Sequence, residues 1–439
     1  MSGAASDQQG WQQRLTDLLA RLCELEQSVR ILSALSWPSS VRQQFLAADG
    51  KQLPQVAYQP FDASPVLLGL AQLRADALRD FGDAEPVARW LQRLLDSVEH
   101  GARLLGSIGS AAFLHHSSQL FGTPEGQLPD GKTTVLALAE NFNRILEGLD
   151  KLPLNFSEQA IDAEHLAVQI ENAVQKKFGE DAPAVEVVDE LSAKALAGAT
   201  RIRIRRDAHF SSRDVAQLIN HEAFIHVATK LNGKAQPQLP ILGRSHAGTT
   251  ATQEGLAVFA EFITGSMELD RLRRLTDRVI AIQMAIDGAD FIQVYGYFLE
   301  RSGGRREESF ENARRVFRGG VLTGGVPFTK DIVYLEGLLR VHNFLRTTVS
   351  LGRSDLLHLL FCGKLDIEDI GVIASLAADG ICRPPRYLPP WMENLGFLLS
   401  YLAYSSFLNT IDMSHLRTHY QHLAQAAPIC DLDKLAADH

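Results

Sequence analysis

The sequence predicts an α+β protein that is predominantly helical, with an N-terminal helical region and one small sheet. Three observations lead to this. Apolar residues recur at three- and four-residue intervals through the first third of the chain. Strict alternation is confined to two short runs near residue 200, and helical patterning then resumes and continues to the C-terminus.

Residues 11–35 carry Leu15, Leu18, Leu19, Leu22, Leu25, Val29 and Leu32 on one helical face, and that face needs a partner surface. A second helical block, 65–149, is broken by Gly82-Asp83 and by the turn-rich stretch 122–131. With Pro153 beyond it, the expected division is an N-terminal helical region over 1–155 and a second domain over 156–439. Helical spacing continues through 161–178, and residues 184–188 and 200–205 are the strand candidates. In the second, Ile202 and Ile204 face a core while Arg201, Arg203 and Arg205 face outward. This suits an edge strand able to pair with an extended peptide. Ser211 and Ser212 form an N-cap for a helix over 213–231 that closes at Asn232-Gly233. After the loop 234–248, Thr249-Thr250 caps another helix from about Ala251. The remainder reads as helix, interrupted at Gly303-Gly304, 319–327 and 384–390.

Of the 439 residues, 46% are hydrophobic and 22% charged, the balance of a globular protein. A net charge of -9 supplies no broad positive field for nucleic acid or an anionic membrane, so neither is an expected partner. Cys23, Cys362, Cys382 and Cys430 lie far apart with no C-x-x-C spacing, which predicts reduced thiols and no thiolate metal site. The N-terminus has no basic start followed by an apolar run, and no stretch is apolar enough to span a bilayer. A cytoplasmic location is expected.

The chemistry concentrates in His221-Glu222-Ala223-Phe224-Ile225-His226. Two imidazoles on one helix, with a carboxylate beside the first, are close to the arrangement in which two His bind zinc and the Glu is general base. The spacing is one residue longer. In a regular helix five residues subtend about 500°, so the imidazoles diverge by about 140°. They reach one ion only if the helix carries a π-type bulge between them. A catalytic zinc also needs a third protein ligand, and His246, Glu254 and Glu261 are candidates. Glu254 lies near the start of a capped helix, beside Gly255, which allows close helix approach. Glu261, seven residues on, falls on the same face and suits a carboxylate that orients an imidazole.

The segments His221 to His226 and Thr250-Ala251-Thr252-Gln253-Glu254-Gly255-Leu256-Ala257 resemble the bacterial flavohemoglobin expression-modulating QEGLA motif proteins. These are similar to the microtubule-associated tyrosine carboxypeptidases of animals. The resemblance extends over about 210–346, including Leu231-Asn232-Gly233, Arg318-Gly319-Gly320 and 328–334. It implies a zincin-like catalytic core in which His221, His226 and Glu254 bind Zn2+ and Glu222 is catalytic. It also implies a carboxypeptidase that removes residues from a peptide or protein C-terminus. The net charge of -9 argues against the acidic tail of tubulin as substrate.

A carboxypeptidase must also bind the terminal carboxylate, a task suited to Arg. Arg315, Arg318 and Lys330 are the candidates. Tyr334, with Tyr295 and Tyr297, is a candidate donor to the oxyanion. The alternative reading is a non-enzymatic zinc-containing regulatory or interaction protein. Glu222 speaks against it, because a structural site has no use for a base beside its ligand.

Overall fold

The computed structural model describes residues 2–408 apart from 129, 150–159, 190, 192, 193, 199 and 209. The expected boundary at residue 155 and Cys430 lie outside the described residues. Cys23, Cys362 and Cys382 are free, buried thiols.

The chain is α+β and predominantly helical. Helices Ser2–Glu26, Ser64–Phe81 and Pro86–Gly106 pack through Leu15, Leu19, Leu22, Leu70, Leu91 and Leu95, all essentially inaccessible. Their apolar stripes find the partner surface the periodicity demands. The same core continues into Ile225, Leu256, Phe259 and Phe361, so the N-terminal helices are built directly onto those that carry the motifs. None of the described helices is long and apolar enough to cross a membrane.

Among the described residues there are two small sheets: Ala160–Ile161 pairs antiparallel with Phe210–Ser211, and a three-stranded sheet has the order Ala184–Val188, Arg201–Arg205, Ala195–Ala197. In the latter the first two strands are parallel, with Val185 opposite Ile202, and the third is antiparallel, with Ala195 opposite Ile204. Ile202 and Ile204 are fully buried against Leu166, Ile170 and Val174 of helix Ala163–Phe178, as the alternation predicts. The expectation that this strand is an edge is corrected: it is central, and Ala195–Ala197 is an edge. Alternation along a strand reports which face is wet and is silent about neighbours in the hydrogen-bonding direction.

A capping box at Ser211, reciprocal with Asp214, starts the motif helix. It runs as α-helix over Ser212–Leu218, π-helix over Ile219–Val227 and α-helix over Ala228–Lys234. Asn232 and Gly233 lie within its last turns and do not terminate it. Asn232 instead donates to the carbonyls of Phe361 and Tyr387 and accepts from the backbone N–H groups of Arg386 and Tyr387. A Cβ on Gly233 would lie 1.9 Å from the Leu242 carbonyl oxygen. The pair is a docking device for the helix end.

Candidate metal centre

The π-helical stretch does what the long spacing requires. Its i to i+5 bonding stacks residues five apart, so His221 and His226 project from the same side. Their rings lie 5.0 Å apart at 82°.

Facing them is helix Thr250–Ile263. Thr249 precedes it without capping it, because its hydroxyl donates to the His246 carbonyl at 3.0 Å. The helix is placed by a backbone crossing with Val333–Ser350. A Cβ on Gly255 would lie 2.2 Å from the Gly337 carbonyl oxygen, and one on Gly337 2.2 Å from that of Ala251. Gly255 thus serves a close approach, to the helix behind it rather than to the motif helix. The crossing sets Glu254 beside Lys330 and Tyr334, whose backbone leads into the second helix.

Glu254 Oε2 lies 3.4 Å from His221 Nε2 and 3.6 Å from His226 Nε2, and the three donor atoms fall within 4.8 Å of one another. Glu254 Oε2 is buried and has no hydrogen-bond partner. Ligands sharing a tetrahedral ion at 2.0–2.1 Å stand about 3.3 Å apart. The donor set and its spacing therefore fit a metal ion with an open fourth position. Glu254 Oε1 is taken by Lys330 Nζ at 2.9 Å.

Glu261 is completely buried and accepts from His221 Nδ1 at 2.7 Å, Gln217 Nε2 at 3.0 Å and two Arg271 N–H groups at 3.2 Å. Burial alone would raise its carboxyl; the Arg271 charge and His221 instead hold it down, to about 2. A carboxylate on Nδ1 places the proton there and turns the Nε2 lone pair towards Glu254. His226 Nδ1, in contrast, is buried without a partner. Glu222 Oε2 accepts the backbone N–H of Ala197 at 3.0 Å, so the edge strand of the sheet holds this carboxylate next to the histidines.

His221, Glu222, His226 and Glu254 line a cleft of about 1090 Å³. Eleven Arg and Lys side chains line it against six Asp and Glu, so the cleft is basic although the chain is acidic overall. Arg315 is forked onto Asp331, with Nη2 2.9 Å from Oδ1, and reaches the Tyr334 hydroxyl at 3.3 Å. Lys330 also donates to that hydroxyl at 3.2 Å. Arg318 is 4% exposed, its Nε has no partner, and its guanidinium lies over the Phe328 ring. Burial, reinforced by Arg315, pushes it down to about 9. Of the three basic candidates Arg318 has donor capacity to spare.

Tyr295 is not brought to this cleft. It packs edge-on against Phe45 in a separate cluster with Phe291 and Phe310. Tyr297 donates to Asp277. His246 lines the cleft with its Nε2 unpartnered but stands outside the donor cluster. Sequence reasoning missed Arg271 and Lys364. Buried Lys364 donates to Gln253 at 3.0 Å and is pushed by burial, with help from Lys230, to about 7. Neither has a motif spacing, and only the packing brings them in.

The fold and site define a predominantly helical protein with a His–His–Glu cluster able to hold a metal ion in the lining of a basic cleft. The chain belongs to the microtubule-associated tyrosine carboxypeptidase family, whose model matches residues 43–410. It is thus a carboxypeptidase-like protein with a protein or peptide as its class of substrate. No curated protein matches it.

Proposed function

We propose that the protein is a zinc-dependent carboxypeptidase in which His221, His226 and Glu254 hold the ion and Glu222 is the general base. The convergence of three donor atoms within 4.8 Å, with Glu222 alongside, carries this reading. When bound, zinc supplies Lewis acidity to the scissile carbonyl and lowers the pKa of water.

The chain's own residues do the rest. Glu222 takes a proton from the attacking water as the C–O bond forms, then delivers it to the amine nitrogen as the C–N bond breaks. The products are a shortened chain with a new carboxylate and a free amino acid. Arg318 receives the terminal carboxylate of the substrate, supported by the Arg315 and Lys330 charges. Tyr334, oriented by both, is placed to donate to the developing oxyanion. The basic lining favours acidic residues upstream of the cleaved bond, and this local field outweighs the net charge that speaks against an acidic tail. In this reading 156–439 is the zincin-like catalytic unit and 1–155 a helical region that walls it. Val29, Arg30 and Trp37 of that helical region stand in the cleft lining.

The test is C-terminal peptide mass spectrometry with the parent chain and Glu222→Gln. The variant is expected to keep its metal and lose ~10²–10⁴ in turnover. Equal turnover in the two, or a parent chain that takes up no zinc, overturns the reading.

A further inference from the structure

A second group of metal-binding side chains lies outside the cleft. Helix Pro86–Gly106 carries His100, and helix Ala111–Phe121 carries His115 and His116. His100 Nδ1 and His116 Nδ1 are 3.1 Å apart. The three ring centroids are separated by 5.4 Å (100 to 116), 5.0 Å (115 to 116) and 6.3 Å (100 to 115). None of the three lines the cleft.

We infer that His100 and His116, with His115 as a third donor, form a second site for an imidazole-binding transition-metal dication such as Zn2+ or Ni2+. Two nitrogens bound to one ion stand about 2.9 Å apart in a square arrangement and about 3.3 Å in a tetrahedral one. The observed separation falls between these values, and an ion would take the place of the proton the two nitrogens share. His100 and His116 come from different helices and are half-buried. His115 is exposed; as placed, its ring nitrogens do not fall within 4.8 Å of both of the others, and it joins only by a change of rotamer.

The electrostatics agree. Burial lowers both His100 and His116 from the ordinary histidine value, against the opposing pull of Glu99 and Asp96 at His100 and with the help of the neighbouring imidazoles at His116, which favours the neutral, metal-binding form. The nearby Arg103 charge is already met by Glu99 at 2.9 Å, and Arg74 pairs with the same carboxylate.

The position gives the site a consequence. Ser97, one turn before His100, accepts the N–H of Gly248 at 2.8 Å, just ahead of the helix that carries Glu254. Ser117, next to His116, accepts the N–H of Thr329 at 2.9 Å, next to Lys330. An ion at the histidines ties together the two helices that brace the Glu254–Lys330 pair from either side.

The full chain is stripped with a chelator, equilibrated with Zn2+ or Ni2+, and its bound metal counted by mass spectrometry after dialysis. The parent is expected to bind one equivalent more than His100→Ala/His116→Ala, and His221→Ala/His226→Ala to retain that equivalent. Equal counts in the parent and His100→Ala/His116→Ala overturn the inference, and leave a plain hydrogen bond between two neutral rings. Circular dichroism of the metal-free chains checks folding, with His100→Gln as the milder variant. As a second readout, Cu2+ added to His221→Ala/His226→Ala should give an electron paramagnetic resonance spectrum with imidazole nitrogen couplings. Their persistence after His100→Ala/His116→Ala is added would also overturn it.

Discussion

The two walls of the cleft are built differently. On the metal side the donors come from two helices, and two of the three are backed by a specific buried partner: His221 by Glu261, Glu254 by Lys330. On the basic side Arg278, Arg315 and Lys330 gather around one carboxylate, Asp331, and Arg318 stands beside them with a free donor. One wall is close to charge balance and the other has a surplus of positive charge. The difference teaches that the first is organised to fix geometry, while the second is left short of an anion, which in the proposed reading is the terminal carboxylate of the substrate.

The largest effect that tests this contrast is at Asp331. Removing it by Asp331→Ala leaves buried guanidinium groups uncompensated and should cost about 3–5 kcal/mol in denaturant unfolding. Burial alone would raise this carboxyl, and Arg315, Arg278 and Lys330 hold it well below the usual carboxylate range. Its contribution is therefore present in full above the unfolded carboxyl value of about 4 and fades as pH falls towards the lower folded value. The difference in stability between parent and variant should be constant from neutrality down to about pH 4 and narrow below it. A difference that grows on acidification would contradict the assignment.

Next comes Arg318→Ala, which should lower kcat/KM for peptides with a free C-terminus by ~10–100-fold, the worth of a charged hydrogen bond of about 1.5–3 kcal/mol. Amidated peptides should be cleaved no differently by parent and variant. A loss common to both kinds of peptide would make Arg318 structural rather than a carboxylate binder.

Glu261→Gln tests the other wall. Losing the carboxylate on Nδ1 should weaken zinc binding by ~10–100-fold, measured by competition with a chromophoric chelator, with the peptide-length preference unchanged. Retained affinity would show that His221 needs no such orientation.

The smallest expected effect is a charge reversal at the rim. Arg203→Glu should reduce kcat/KM for a peptide with upstream acidic residues by a few-fold at low salt, and the reduction should vanish near ~1 M salt, where screening acts within about 3 Å. A salt-independent loss would point to a direct contact instead.

Much of the metal wall was legible from the residues. The five-residue spacing of His221 and His226 required a π-type bulge, and the helix has one because only i to i+5 bonding brings both rings to one side. Glu254 and Glu261, seven apart on a regular helix, share a face, and from it they meet the two ring nitrogens of His221, Nε2 and Nδ1. The basic wall was legible only as a set of residue types. Arg315 and Lys330 turned out to be engaged by Asp331 and Glu254, and Tyr295 was misplaced because an aromatic in a helix gives no sign of which core it enters. The strand 201–205 read correctly for its buried face and wrongly for its edge.

By itself, then, the sequence determined what depends on periodicity and short range: the helical bulk, the wet and dry faces of the strand, the capped motif helix with its bulge, and the likeness to a carboxypeptidase family. Tertiary structure alone decided which strand is the edge that holds Glu222, that Gly255 and Gly337 cross backbone to backbone, and that Arg271 and Lys364 reach the site. It also turned an acidic chain into one with a basic cleft. The physical reason is that local pattern depends on neighbours a few residues apart. Buried charge pairing and close backbone contact are settled between segments tens to hundreds of residues apart, and their energies exist only once those segments are packed.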